Sequence, residues 1–134
     1  MSDWNQQIID EFHANEGKVG GMFEGMNMVL ITHTGAKSGK ERVLPLVYTT
    51  DGDRYVIAAS KGGADTNPDW YHNLVANPKI KVEIGTEKFD ATAKLIEDRA
   101  ERDRLYAGMV AHNPGFADYE KKTTRLIPVF VLER

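Results

Sequence analysis

The chain has no cysteine, which excludes disulfides, thiolate metal ligands and thiol nucleophiles and fits a reducing compartment. Any redox chemistry must therefore belong to a bound cofactor. A charge excess is also missing. Seventeen Lys and Arg against 20 Asp and Glu leave a formal net charge of −3, so no global field recruits nucleic acid or an anionic membrane, and an anion site must be local. No apolar run approaches the roughly 18 residues of a membrane span, and the polar opening Met1-Ser2-Asp3-Trp4-Asn5 lacks the basic segment of a signal peptide. A cytoplasmic protein without a transmembrane segment is expected. His13, His33, His72 and His112 have neither helical metal-ligand spacing nor clustered carboxylates, so packing or surface roles outweigh a metal site. Ser38 and Ser60 lack a nucleophile-elbow context, and cations do not interleave with aromatics as a nucleic-acid platform requires.

What is present is enough for one domain with its own core: a chain of 134 residues buries roughly two-thirds of its unfolded surface. Ser2 or Asp3 caps a helix to about Asn15, with Trp4, Ile8, Ile9 and Phe12 on one face. Residues 16–27 are rich in glycine around Met22, Phe23 and Met26, which suits a flexible lid over a pocket; a plain linker is the alternative. Residues 28–32 are continuously apolar and read as a strand buried on both faces. In residues 42–50, Val43, Pro45, Val47 and Thr49 alternate with Leu44, Leu46 and Tyr48, and Pro45 marks an edge or a bulge. Asp51-Gly52 turns this strand into a partner over 54–60.

Asn67 caps a short helix opened by Pro68 and ended by Asn77-Pro78. Residues 80–84 and 89–95 alternate as a half-buried hairpin around Gly85-Thr86. Asp98 caps a helix to about His112 with Leu105, Met109 and Ala100 facing in, and residues 116–122 add a turn or two. Residues 126–132 close the chain as a strand in which Pro128 again indicates an edge. About six strands, joined mainly by hairpins, favour an α+β barrel over a doubly wound parallel sheet.

Two stretches carry the chemical signal. Thr34-Gly35-Ala36-Lys37-Ser38-Gly39-Lys40-Glu41-Arg42 fails the Walker pattern, because only three residues separate the glycines, Glu41 follows Lys40 and a strand comes next. It reads as an anion-binding turn with Lys37, Ser38, Lys40 and Arg42 as donors, or as a solvated β-turn. Ser60-Lys61-Gly62-Gly63 leaves a strand and leads to the helix start at Asn67, adding a hydroxyl, a cation and a helix N-terminus. If residues 42–50 and 54–60 pair as a long hairpin, Arg42 lies near the strand end that carries Ser60 and Lys61. The two clusters then form one split site. Trp70 and Asn73 share a face of the short helix, with core packing the alternative for Trp70. Phe116 and Tyr119 line an apolar pocket or seal the barrel.

The segments Thr34-Gly35-Ala36-Lys37-Ser38-Gly39, Arg42-Val43-Leu44-Pro45-Leu46, Ala58-Ala59-Ser60-Lys61-Gly62-Gly63, Asn67-Pro68-Asp69-Trp70-Tyr71-His72-Asn73-Leu74 and Ala76-Asn77-Pro78, with Tyr119 ahead of Ile127-Pro128-Val129, resemble the deazaflavin-dependent nitroreductase family. These are split-β-barrel, F420H2-dependent oxidoreductases of actinobacteria. The resemblance covers about residues 28–132. It implies an FMN-binding-like split β-barrel occupying 1–134 as one domain, with 1–27 as helix and flexible lid and 28–134 as barrel core. The implied cofactor is coenzyme F420, an 8-hydroxy-5-deazaflavin.

By the same resemblance, Lys37, Ser38 and Arg42 match positions that bind the coenzyme's phosphodiester and polyglutamate tail. Pro45, Ala58, Ala59, Ser60 and Lys61 match those that cradle its ring, and Trp70 and Asn73 match those that close the site. Ala36, Val43, Leu44, Leu46, Gly62 and Asp69 complete the expected cofactor-binding set. Ser60 and Lys61 are the expected catalytic donors to the ring, and Tyr119, Ser60 or water the proton source.

The expected substrate pocket holds Met22, Phe23, Val47, Phe116 and Tyr119. Family nitroreductases carry tyrosine at the positions of Val47 and Phe116, so this chain lacks two hydroxyls that orient a polar acceptor. That shifts the expected acceptor, a small molecule, from a nitroimidazole toward something bulky and apolar such as a quinone or an activated enone or lactone, with a nitro compound kept as a further candidate. The resemblance favours a monomer, with a dimer as alternative, and implies neither metal nor nucleic acid. Two rival readings are a non-catalytic F420-binding or storage protein and an FMN-dependent split-barrel oxidoreductase.

Overall fold

A computed structural model describes residues 3–20 and 27–134. Met22 and Phe23 lie outside the described residues. In order come α1 (Asp3–Ala14), β1 (Met28–Thr34), β2 (Glu41–Val47), β3 (Thr49–Asp51), β4 (Arg54–Ala58), a 3-10 turn (Lys61–Gly63) and α2 (Asp69–Ala76). They are followed by β5 (Lys79–Ile84), β6 (Glu87–Leu95), α3 (Arg99–His112), α4 (Gly115–Lys122) and β7 (Val129–Glu133). The strands form one seven-stranded sheet in the order β2-β1-β5-β6-β7-β4-β3, antiparallel at every pairing. Its two edges, β2 and β3, are separated in the chain by Tyr48 alone. The sheet must therefore curl until its edges approach, which gives the expected α+β barrel with a split.

That split corrects the long hairpin. Residues 42–50 are not one strand paired with 54–60. β2 pairs with β1, placing Arg42 opposite His33 and Pro45 opposite Leu30, whereas only the short β3 pairs with β4, from Thr49 opposite Val56 to Asp51 opposite Arg54. The chain changes partners at Tyr48, whose N–H donates to the Asn27 carbonyl at 3.0 Å. Pro45 does sit on an edge strand, as its missing donor requires.

The closing strand is a second correction. β7 lies between β6 and β4, not at an edge. Pro128 is tolerated because it precedes the first ladder residue, and its carbonyl accepts the Ala59 N–H at 2.9 Å.

The curled sheet encloses one apolar cluster and is covered by two others. Val29 and Ile31 point inward with Ile57, Val82 and Phe130, and Leu74 of α2 plugs this interior with no exposed surface. Met28 and Leu30, on the other face of the same strand, pack under Ile8, Ile9 and Phe12 of α1. The two-sided burial read from residues 28–32 is thus produced by a barrel inside and a helix outside. Truncating a side chain such as Leu74 to Ala in such a site costs about 2–5 kcal/mol.

The third cluster joins Val56, Ala58, Val129 and Val131 to Leu105, Tyr106 and Met109 of α3 and Phe116 of α4. Asp98 caps α3 through the Glu101 N–H at 2.9 Å, as expected, but Ala100 is exposed. Arg102 takes an inward position instead, its charge met by Glu120 at 3.2 Å and the Ile127 carbonyl at 3.0 Å, above the Tyr106 ring. The cap of α2 also differs: Pro68 occupies the cap position without a side-chain bond, and the Asn67 side chain is engaged by Arg125.

Candidate functional site

The turn that ends β1 closes on itself. Gly35 N–H donates to the Lys40 carbonyl at 2.9 Å and Gly39 N–H to the Gly35 carbonyl at 3.0 Å. Gly39 takes φ +69° with open space around it, a backbone conformation that glycine adopts without a Cβ penalty. The Lys40 N–H is held by Ser38 Oγ at 3.2 Å, so the turn presents Lys37, Ser38 and Arg42 outward.

Helix α2 is pinned against this turn. Asn73 Oδ1 accepts the Ala36 N–H at 2.9 Å, Asn73 Nδ2 donates to His33 Nδ1 at 3.2 Å, and Asn77 Nδ2 donates to the Thr34 carbonyl at 3.3 Å. Because Ala36 supplies an N–H, the oxygen of the Asn73 amide must face it, and His33 Nδ1 must be the acceptor of the other bond. His33 is therefore neutral, with its proton on Nε2. Burial, and after it the nearby Arg42 charge, lowers its pKa.

Between turn and helix lies a cavity of about 570 Å³ lined by Gly35, Ala36, Lys37, Ser38, Arg42, Asp69, His72 and Asn73. Ala36, Lys37, Ser38, Arg42, Asp69 and Asn73 are all from the expected cofactor-binding set. The wall facing the turn is α2, not a long hairpin; of the second stretch no residue from 60 to 67 reaches this cavity, so the two clusters do not share it. Its charge balance differs from that of two other cavities, although a third, at 121–125, sets Lys121, Lys122 and Arg125 against Asp65. A larger one, about 810 Å³ beside α1, sets Glu11 and Glu16 against Lys18, and a groove on the outer sheet face sets Glu41 and Asp90 against Lys79, Lys81 and Arg134. In the turn cavity, Lys37 and Arg42 face only Asp69.

The remaining expected residues are placed around the split. Val43, Leu44, Pro45, Leu46 and Val47 are half-buried along the β2 edge. Ala58 and Ala59 are buried at the end of β4 and just beyond it. Trp70 is half-buried, its ring 5.9 Å from Phe130, so it is packed on the barrel interior. Ser60 and Lys61 do not line the turn cavity. They open the 3-10 turn, where Lys61 has φ +48° and its Nζ donates to Thr66 Oγ1 at 3.2 Å.

Gly62 follows Lys61 in that turn. Gly63, at φ +86°, abuts α4 so closely that a Cβ would lie 2.8 Å from the Tyr119 carbonyl oxygen and 2.9 Å from Lys122 Cβ. Phe116 is buried and packs edge-on to the half-buried Tyr119 ring at 5.4 Å, while its carbonyl accepts the Tyr106 hydroxyl at 2.6 Å.

Three residues of this region escape the sequence reading. His33 shares a face with Val29 and Ile31 on an alternating strand, which was the available signal for its burial. His72 lines the cavity one residue before Asn73. Arg125 binds the loop after β4, and nothing in Thr123-Thr124-Arg125 distinguishes it from a solvated charge. Among the described residues, no group of three His, Cys, Asp or Glu could hold a metal ion, and no helix is long and apolar enough to cross a membrane.

The family model described as F420H2-dependent quinone reductase matches residues 4–134. An F420H2-dependent quinone reductase of Mycobacterium tuberculosis is 38% identical over 126 residues, covering 92% of this chain and 85% of the relative. Among solved structures, one described as an F420-H2 dependent reductase (FDR-A) is 44% identical, with a TM-score of 0.73, over 80% of this chain and 94% of that one. Another, described as a domain-swapped dimer, is 38% identical with a TM-score of 0.75 and covers 98% of both chains. The dimer, the alternative to a monomer above, has a precedent there.

Proposed function

Because the chain belongs to the F420H2-dependent quinone reductase family, which makes it an F420H2-dependent oxidoreductase, we propose that the turn at 35–42 and α2 grip the coenzyme's anionic side and that the acceptor is a quinone. The observation that carries this reading is Arg42. Arg54, Arg99, Arg102, Arg104, Arg125 and Arg134 each hold a carboxylate or carbonyl oxygen. The Arg42 side chain has no such partner among the described residues and lines the cavity instead. An exposed guanidinium beside Lys37, Ser38 and a pinned turn suits a phosphodiester or carboxylate ligand.

The donor set fits the coenzyme, whose phosphodiester and polyglutamate tail are anionic. When bound, the coenzyme supplies a hydride; the protein supplies orientation and electrostatics. The β2 edge offers half-buried apolar surface, and Ala58 and Ala59 bring little side-chain bulk to the opposite side of the split. Pro45 presents no N–H there. Ser60 and Lys61 would offer a hydroxyl and an ammonium to oxygens and nitrogens of the ring, where such donors favour negative charge. Tyr119, held beside this turn through Gly63, carries a proton within the same region. Val47 and Phe116 leave the acceptor side with two hydroxyls fewer than the family nitroreductases, which favours an apolar acceptor such as a quinone over a nitro compound.

Mixing the protein with F420H2 and a panel of naphthoquinones, benzoquinones, enones and nitroimidazoles tests this, with reduced FMN as the parallel donor. Quinones should reoxidise F420H2 fastest. Tight binding without reoxidation by any acceptor would support the storage reading, and a preference for FMN would overturn the assignment of the site to F420.

A further inference from the structure

We propose that Arg125 is a positioning residue that holds the Ser60–Lys61 turn in the conformation used for hydride transfer; this rests on the reading of that turn as the ring site. Its guanidinium makes four bonds, all to one loop. Nε donates to the Ala64 carbonyl at 3.0 Å, Nη1 to the Ala59 carbonyl at 3.1 Å and to Asn67 Oδ1 at 2.6 Å, and Nη2 to the Ser60 carbonyl at 2.9 Å. The acceptors span both ends of the loop from the end of β4 to the start of α2. A second tie runs alongside, in which Thr123 Oγ1 donates to Asp65 Oδ1 at 3.0 Å and accepts the Arg125 N–H at 3.1 Å.

The residue enclosed by these bonds is the one that needs them. Lys61, at φ +48°, is a non-glycine residue in the left-handed region, a state that persists when its surroundings over-determine it. Arg125 fixes the carbonyl just before Lys61 and the carbonyl of Ala64 just after the turn. The Gly63 N–H adds a bond to the same Ser60 oxygen at 2.9 Å. Among the described residues Arg125 bonds no carboxylate, only neutral oxygens, so its geometry is set by the loop's shape. A planar fork with five N–H donors can meet this set, and an ammonium cannot.

The test uses Arg125→Lys in the full chain. Three properties are measured: amide hydrogen exchange over 59–67 without cofactor, F420 affinity by fluorescence, and single-turnover oxidation of bound F420H2 by a naphthoquinone. Exchange at 60–64 should accelerate, and the hydride-transfer rate should fall about tenfold to a hundredfold, as expected for a misplaced reacting group. Affinity should change by less than about threefold, because Lys37 and Arg42 lie on another loop. In a cycle with Ser60→Ala, the two losses in rate should be less than additive, since both act at one hydroxyl.

Wild-type exchange in Arg125→Lys would overturn the proposal. So would rate and affinity falling together with a lower Tm, or additive losses in the cycle. If the variant does not fold, Arg125→Gln takes its place under the same criteria. If the wild-type chain itself fails to bind F420, the functional reading falls. The exchange result then decides separately whether Arg125 holds the turn.

Discussion

Asn73 Oδ1 accepts the Ala36 N–H at 2.9 Å, and through this bond α2 fixes the turn that carries Lys37 and Arg42. The same amide donates to His33 Nδ1 at 3.2 Å. Replacing Asn73 by Ala removes both bonds and leaves the Ala36 N–H and the His33 nitrogen without this partner. Stability should fall by about 1–2 kcal/mol, read from urea unfolding, and F420 should bind more weakly because its turn is less ordered. Unchanged stability together with unchanged affinity would show that α2 does not organise the turn.

His33 makes this linkage sensitive to acid. Folding lowers its pKa below the ordinary value of 6.5, mainly by burial and further by Arg42, so the unfolded chain takes the proton more readily. The contribution to stability is fully present above about pH 6.5 and is lost as pH falls through the folded-state value. Protonated Nδ1 would also point an N–H at the Asn73 amide nitrogen. Wild type should lose stability between pH 7 and 5 more steeply than His33→Gln, measured by urea titrations across that range. His13, His72 and His112 are present in both proteins, so parallel curves would remove His33 as the cause.

Gly63 is bound to its position by space as well as by backbone conformation. At φ +86°, an added Cβ would meet the Tyr119 carbonyl oxygen at 2.8 Å, which a backbone atom cannot readily yield. Gly63→Ala should cost about 1–2 kcal/mol for the backbone conformation and about 1–3 kcal/mol more for the overlap, whereas Gly39→Ala, with open space around φ +69°, should cost the backbone part alone. Thermal unfolding of the two variants checks the order. A Gly63→Ala protein as stable as wild type would mean that α4 and the 3-10 turn are not in contact.

Local rules made much of this fold legible. The continuous apolar run at 28–32, the Asp98 cap and the Asp51-Gly52 turn each depend on neighbours a few residues away, and each is found where expected. The division of residues 41–51 was not legible, because the alternation of Val43, Val47 and Thr49 against Leu44, Leu46 and Tyr48 runs unbroken through the point where β2 leaves β1 and β3 joins β4. Pro128 indicated an edge by the ordinary rule, but it precedes a central strand.

The site divides the same way. Lys37, Ser38 and Arg42 form a local cluster of donors, visible as such. Arg125 and Asn67 are 58 residues apart, and Arg125 and Ser60 are 65 apart, so no local pattern joins them. Asn67 likewise had the composition of a helix cap, but its oxygen is used by a partner that only the fold supplies.

Arg42 is left open for the coenzyme's anion. Fluorescence titration of F420 against wild type and Arg42→Ala tests it most directly. A lost charged hydrogen bond is worth about 1.5–3 kcal/mol, so the dissociation constant should rise about tenfold or more, with unfolding by urea unchanged because Arg42 is exposed and holds no partner among the described residues. An Arg42→Ala protein that binds F420 as wild type does would contradict the account.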